Sequence, residues 1–94
     1  KQIDTAGRDA VAFFDLVRKD KRDDYIDFVD RHLAGEYQGD FALVPLGIGC
    51  FEVPMEDETF YYTWQIVLGD FDAFKQAKAV LGDGVMPTAE AIVV

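Results

Sequence analysis

Apolar and polar positions divide the chain into stretches of two periodicities. From Asp4 to Lys19, the residues Ala10, Phe13, Phe14 and Val17 fall at i, i+3, i+4 and i+7, the spacing of one helical face. The reading is a first helix, N-capped by Asp4 or Thr5, with Asp15 and Lys19 paired at i, i+4 on its charged side. The polar stretch Asp20-Lys21-Arg22-Asp23-Asp24 interrupts that pattern and offers a cap for a second helix, which ends at Ala34 with Gly35 as its left-handed terminator. Projected at ~100° per residue, this second helix buries Tyr25, Ile26, Val29 and Leu33, with Phe28 and His32 at the margin. Asp20, Asp23, Asp24, Asp27 and Asp30 gather on the opposite side within an arc of roughly 120°, where Arg31 can pair with Asp27.

Beyond Gly35 the period shortens to alternation. Phe41-Ala42-Leu43-Val44-Pro45-Leu46 reads as a strand, with Pro45 marking an edge or irregularity. Gly47 and Gly49 allow a tight reversal into Cys50-Phe51-Glu52-Val53, so a hairpin is preferred here over a bent continuation of the first strand. Pro54 and the acidic Glu56-Asp57-Glu58 turn into the clearest strand, Thr59 to Leu68. There Phe60, Tyr62, Trp64, Ile66 and Leu68 point one way, and Thr59, Tyr61, Thr63, Gln65 and Val67 point the other. Tyr62 and Trp64 are assigned to the core, and Tyr61 on the opposite face is a candidate anchor for a partner. Asp70 should cap a third helix with Phe71, Phe74, Ala77 and Leu81 as its core stripe and Gly82 as its end. Ala89 to Val94 reads as a final strand that returns beside the sheet. The expected fold is a single α+β domain over residues 1–94, in the order α-α-β-β-β-α-β, with a mostly antiparallel sheet covered by helices on one face.

Composition alters this picture mainly through charge. The 94 residues carry 18 acidic groups against 9 basic ones, a formal net charge of -9, which repels nucleic-acid phosphates and anionic membranes. Half of the residues are hydrophobic, enough to build a core, yet no apolar run approaches the ~20 residues of a membrane-spanning helix, and no signal peptide is expected. A single cysteine rules out an intramolecular disulfide and points to a reducing, cytoplasmic setting. The chain has neither serine nor asparagine, which removes serine nucleophiles and N-linked glycan acceptors.

Little catalytic chemistry is left. Cys50 and His32, the one thiol and the one imidazole, are the sole candidates for a nucleophile and base pair; the apolar surroundings of Cys50 read as those of a small buried hydrophobe, and His32 reads as a packing residue. Gly47-Ile48-Gly49 leads into a strand, whereas a phosphate loop must open a helix. No HExxH pair or twelve-residue calcium loop is present, so neither metal nor cofactor is expected. These features favour an acidic, non-enzymatic protein-binding module: an inhibitor, immunity-type or counter-defence protein that covers a basic surface on its target, with a nucleic-acid-binding protein as one such target. Asp20, Asp23, Asp24, Asp27, Asp30 and Tyr61 are the expected contact residues. The alternatives are an assembly subunit that forms homo-oligomers through a sheet edge such as Ala89 to Val94 and, behind it, a small-ligand-binding domain.

Overall fold

The computed structural model describes residues 10–33 and 41–86, together with the backbone of residues 89–92. The order is β1 (Ala10–Arg18), a 3₁₀ turn (Lys19–Lys21), α1 (Arg22–Leu33), β2 (Phe41–Met55), β3 (Glu58–Gly69), α2 (Phe71–Lys78), a 3₁₀ turn (Ala79–Leu81) and β4 (Ala89–Ile92). The chain is therefore a small α+β structure. An antiparallel sheet of β2, β3 and β1 is extended at its far side by the short β4, giving the spatial order β2-β3-β1-β4. This order, with a helix after β1 and another after β3, interleaves two β-α-β units.

The first element departs from the sequence expectation. Residues 10–18 are a central strand, whereas a helix was expected; the proposed caps Asp4 and Thr5, like Gly35 and Ala34 at the end of the next helix, lie outside the described residues. The expected order α-α-β-β-β-α-β is thus replaced by β-α-β-β-α-β. The reason is visible in β1, which is flanked on both sides: β3 pairs with it from Ala10↔Leu68 to Arg18↔Phe60, and β4 pairs with it from Val11↔Ile92 to Phe14↔Ala89. A strand with apolar residues on both faces shows no alternation and can imitate a helical stripe.

The expected hairpin within residues 41–53 is also absent. Phe41–Met55 is one long strand, irregular between Pro45 and Phe51: six steps along β2 there match three along β3, from Gln65 to Tyr62, so three residues are extra. Gly49, at φ +61, brings the backbone so close to Arg22 that an added Cβ would sit 2.6 Å from its Nε. Met55 and Glu58 then close a two-residue turn in which Glu56 takes a positive φ of 54°.

Both helices lie on one face of the sheet. Tyr25, Phe28 and Val29 of α1 join Phe74 of α2 and Leu81 over Phe13, Val17, Leu43 and Val67. Phe74 is central, its ring 4.7 Å from that of Phe13 and 5.6 Å from that of Phe41. Phe28 is in the core rather than at its margin, and Leu33, expected inside, is exposed. Asp70 caps α2 as expected, accepting from the amides of Asp72 and Ala73 at 3.0 and 3.1 Å, and Phe71 and Ala77 pack at the edge of the core. No helix among the described residues is long and apolar enough to cross a membrane.

Candidate functional site

The two faces of the sheet carry different chemistry. Under the helices, β1 contributes Val11, Phe13, Asp15 and Val17, and β3 contributes Tyr61, Thr63, Gln65 and Val67, in register pairs such as Asp15↔Thr63 and Phe13↔Gln65. Three of these residues are polar and fully buried: Asp15, Thr63 and Gln65. Lys78 reaches down from the end of α2, only 9 % exposed, and its Nζ lies 2.7 Å from Oδ1 of Asp15. Tyr25 of α1 donates its hydroxyl to Oδ2 of the same carboxylate at 2.5 Å, while the Gln65 side-chain amide lies 2.9 Å from the phenol oxygen. The phenol has one proton, which faces both Asp15 Oδ2 and Gln65 Oε1, and the buried Gln65 Nε2 is left without a hydrogen-bond partner. The carboxylate thereby ties both helices to the central strand. Burial lowers the Lys78 pKa, an effect that Asp15 opposes. Burial, and then the charge of Asp15, raises the Tyr25 pKa and holds the phenol neutral.

Among the described residues, no helix lies on the opposite face. It presents Ala10, Ala12, Phe14 and Leu16 from β1, Phe60, Tyr62, Trp64, Ile66 and Leu68 from β3, and Val44, Phe51 and Val53 from β2. Phe14 packs between two rings of β3, with centroids 5.1 Å from Tyr62 and 5.0 Å from Trp64. Ala10, Ala12 and Ile66 form a small buried cluster at one end of this face, with Val44 and Leu68 beside it. Toward the other end the rings emerge: Trp64 is 36 % exposed and Phe51, paired with Tyr62, is 65 % exposed. Among the described residues, charge returns only at the margin, where Arg18 and Glu58 lie near the strand ends. The alternation expected in β3 is correct, but its orientation is reversed. Tyr62 and Trp64 face away from the helices, and the buried helix-side positions include Thr63 and Gln65.

The aspartates singled out from the sequence all lie at the surface. Asp20, in the 3₁₀ turn, pairs with Arg18 at 2.6 Å; that hydrogen bond lowers the Asp20 pKa and raises that of Arg18. Asp23 lies 3.7 Å from Arg22 and Asp27 lies 3.8 Å from Arg31, so bases of the same chain accompany three of the five acids. Tyr61 is on the helix side near the start of α1, with the Arg22 guanidinium 5.2 Å from its ring centroid and its hydroxyl donating to Glu52. The structure thus places Tyr61 and Arg22 together and leaves the aspartates strung along the outside of the 3₁₀ turn and α1.

Cys50 and His32 are not neighbours. The His32 ring packs between Phe28 and Phe41, at 4.6 and 4.8 Å, and burial lowers its pKa. Cys50 is exposed, contrary to the buried setting expected for it, with its thiol 3.7 Å from the Tyr62 carbonyl oxygen. Phe41 pairs with Gly69, seven residues along β3 from Tyr62, which separates the two groups by about 23 Å. Among the described residues, no three His, Cys, Asp or Glu side chains gather where they could hold a metal ion. Sequence reasoning missed the cluster of Asp15, Tyr25, Gln65 and Lys78. Its one signal was Asp15, a lone acid inside the apolar run Ala10 to Val17. Compared with protein-family models, curated proteins and solved structures, the chain matches none.

Proposed function

We propose that the chain is a non-enzymatic protein-binding module whose contact surface is the aromatic sheet face. One observation carries this reading: Phe14, Tyr62 and Trp64 form a continuous aromatic row on the two central strands, on the side away from both helices. Exposed apolar patches larger than a few hundred Å² are uncommon on proteins that act alone, and Trp and Tyr are enriched where partners are held tightly. A photo-crosslinking residue in place of Trp64, irradiated in cells, should give covalent protein adducts that the same residue in place of the exposed Val80, on the helix side, does not. Absence of adducts from position 64 contradicts the reading.

A second reading, in a cytoplasmic setting, assigns the outer side of α1 to a basic protein target, as the sequence suggests. The exposure of Asp20, Asp23, Asp24, Asp27 and Asp30 supports it, and the nearby Arg18, Arg22 and Arg31 weaken the field that a partner meets. Reversing the charge of Asp23, Asp24 and Asp27 should then abolish salt-sensitive capture of that target without unfolding the domain; unchanged capture removes this reading.

A further inference from the structure

The aromatic face also indicates what covers it. Rings on the central strands of a four-stranded sheet are one way to stack single-stranded RNA bases, but such platforms also need cations to follow the phosphates. Here the net charge is -9 and, among the described residues, the face bears no lysine; its one arginine, Arg18, is at the margin and bound to Asp20. A basic protein gains equally little, because the carboxylates of α1 are on the helix side and none lies among the rings. What fits is a surface that is itself apolar, uncharged at its centre and of similar size. The face of a second copy has these properties, and a two-fold axis through it would bring identical patches together with both helix layers, and the α1 aspartates they carry, outermost.

We infer that the open sheet face is the interface of a two-fold homodimer, in which Phe14, Phe51, Tyr62 and Trp64 of one copy pack against the same residues of the other. This rests on the protein-binding reading above and names its partner. Three strands spaced at ~4.8 Å and nine residues long at ~3.3 Å, with the four residues of β4 beside them, make a footprint of roughly 490 Å² per copy. Two such footprints total about 1,000 Å² before the relief of the rings is counted, at the lower limit of the roughly 1,000–2,000 Å² that specific interfaces bury. Two sheets packed face to face, about 10 Å apart, would also place Trp64 and Phe51 in an interior.

Sedimentation equilibrium and light scattering on the purified chain should give twice the 10.6 kDa of one copy. The association should hold or tighten as salt rises, because screening reduces repulsion between the two acidic coats. Trp64→Lys and, separately, Phe51→Lys should each weaken it by about tenfold or more while keeping the wild-type far-ultraviolet circular dichroism. Asp24→Lys, on the helix side, should leave it unchanged. A monomer at all concentrations overturns the homodimer; crosslinks from position 64 to a different protein would then still uphold the face as a contact surface, and no crosslinks would remove both. A larger assembly untouched by Trp64→Lys and Phe51→Lys, or a monomer whose Trp64 emission is quenched by single-stranded oligouridine, overturns it as well.

Discussion

The two faces of this sheet share the same strands and reverse the usual placement of polarity. Beneath the helices, where water is excluded, β1 and β3 place a carboxylate, a hydroxyl and an amide, and α2 adds an ammonium group. On the side without helices, the same strands place Phe14, Tyr62 and Trp64. The covered face tolerates its polar groups because they bond to one another: Asp15 takes Lys78 on one oxygen and Tyr25 on the other. Among the described residues, no comparable arrangement covers the aromatic end of the open face. What the contrast teaches is that buried polar side chains can find most of their partners inside one copy, whereas the aromatic row keeps Trp64 and Phe51 exposed there.

The largest effect should come from the covered face. Lys78→Met leaves the Asp15 carboxylate buried without its cation and should cost about 3–5 kcal/mol in urea unfolding. Asp15→Leu combined with Lys78→Met should recover most of that loss, since an apolar pair of similar volume removes the uncompensated charge. A loss below about 1 kcal/mol for Lys78→Met would show that the two faces differ less than the geometry implies. A smaller effect is expected where α2 begins: Asp70→Ala removes the acceptor for the amides of Asp72 and Ala73 and should cost about 1 kcal/mol, read from the same unfolding curves.

The smallest effect lies at the rim of the covered face and depends on pH. Burial between Phe28 and Phe41 holds the His32 pKa below its ordinary 6.5, so the folded state binds this proton less readily than the unfolded chain does. The stability it contributes is present above 6.5 and is lost as pH falls toward the folded value. Melting temperature should therefore decline between about pH 7 and pH 5, and His32→Phe, which keeps the aromatic packing, should flatten that decline. An unchanged slope in His32→Phe would assign it to the carboxylates.

Much of the second half of the fold was legible in the sequence. The Asp70 cap, the stripe of Phe74 and Leu81 and the alternation of β3 follow from local rules that the structure obeys. β1 was not legible, because Phe13 and Val17 serve one face of the sheet and Phe14 and Leu16 the other, so a strand flanked on both sides carries the apolar spacing of a helix. The orientation of β3 failed for a more informative reason. Phe60, Tyr62, Trp64, Ile66 and Leu68 are more apolar than Thr59, Tyr61, Thr63, Gln65 and Val67, and the rule that the apolar side goes inward assigns them to the core. Within one copy Ile66 obeys that rule and Trp64 breaks it; the proposed homodimer would restore it, with the rings enclosed between two sheets. The Lys78 and Asp15 pair was hidden because the partners are 63 residues apart and nothing local marks them as a couple.

Trp64 is the chain's single tryptophan and stands on the disputed face, so its emission reports directly on what covers that face. Followed by fluorescence and acrylamide quenching as the purified protein is diluted from micromolar to low nanomolar, it should begin blue-shifted and protected, then turn red-shifted and quenchable as copies separate, with the far-ultraviolet circular dichroism unchanged. A red-shifted, fully quenchable tryptophan at every concentration would contradict the account.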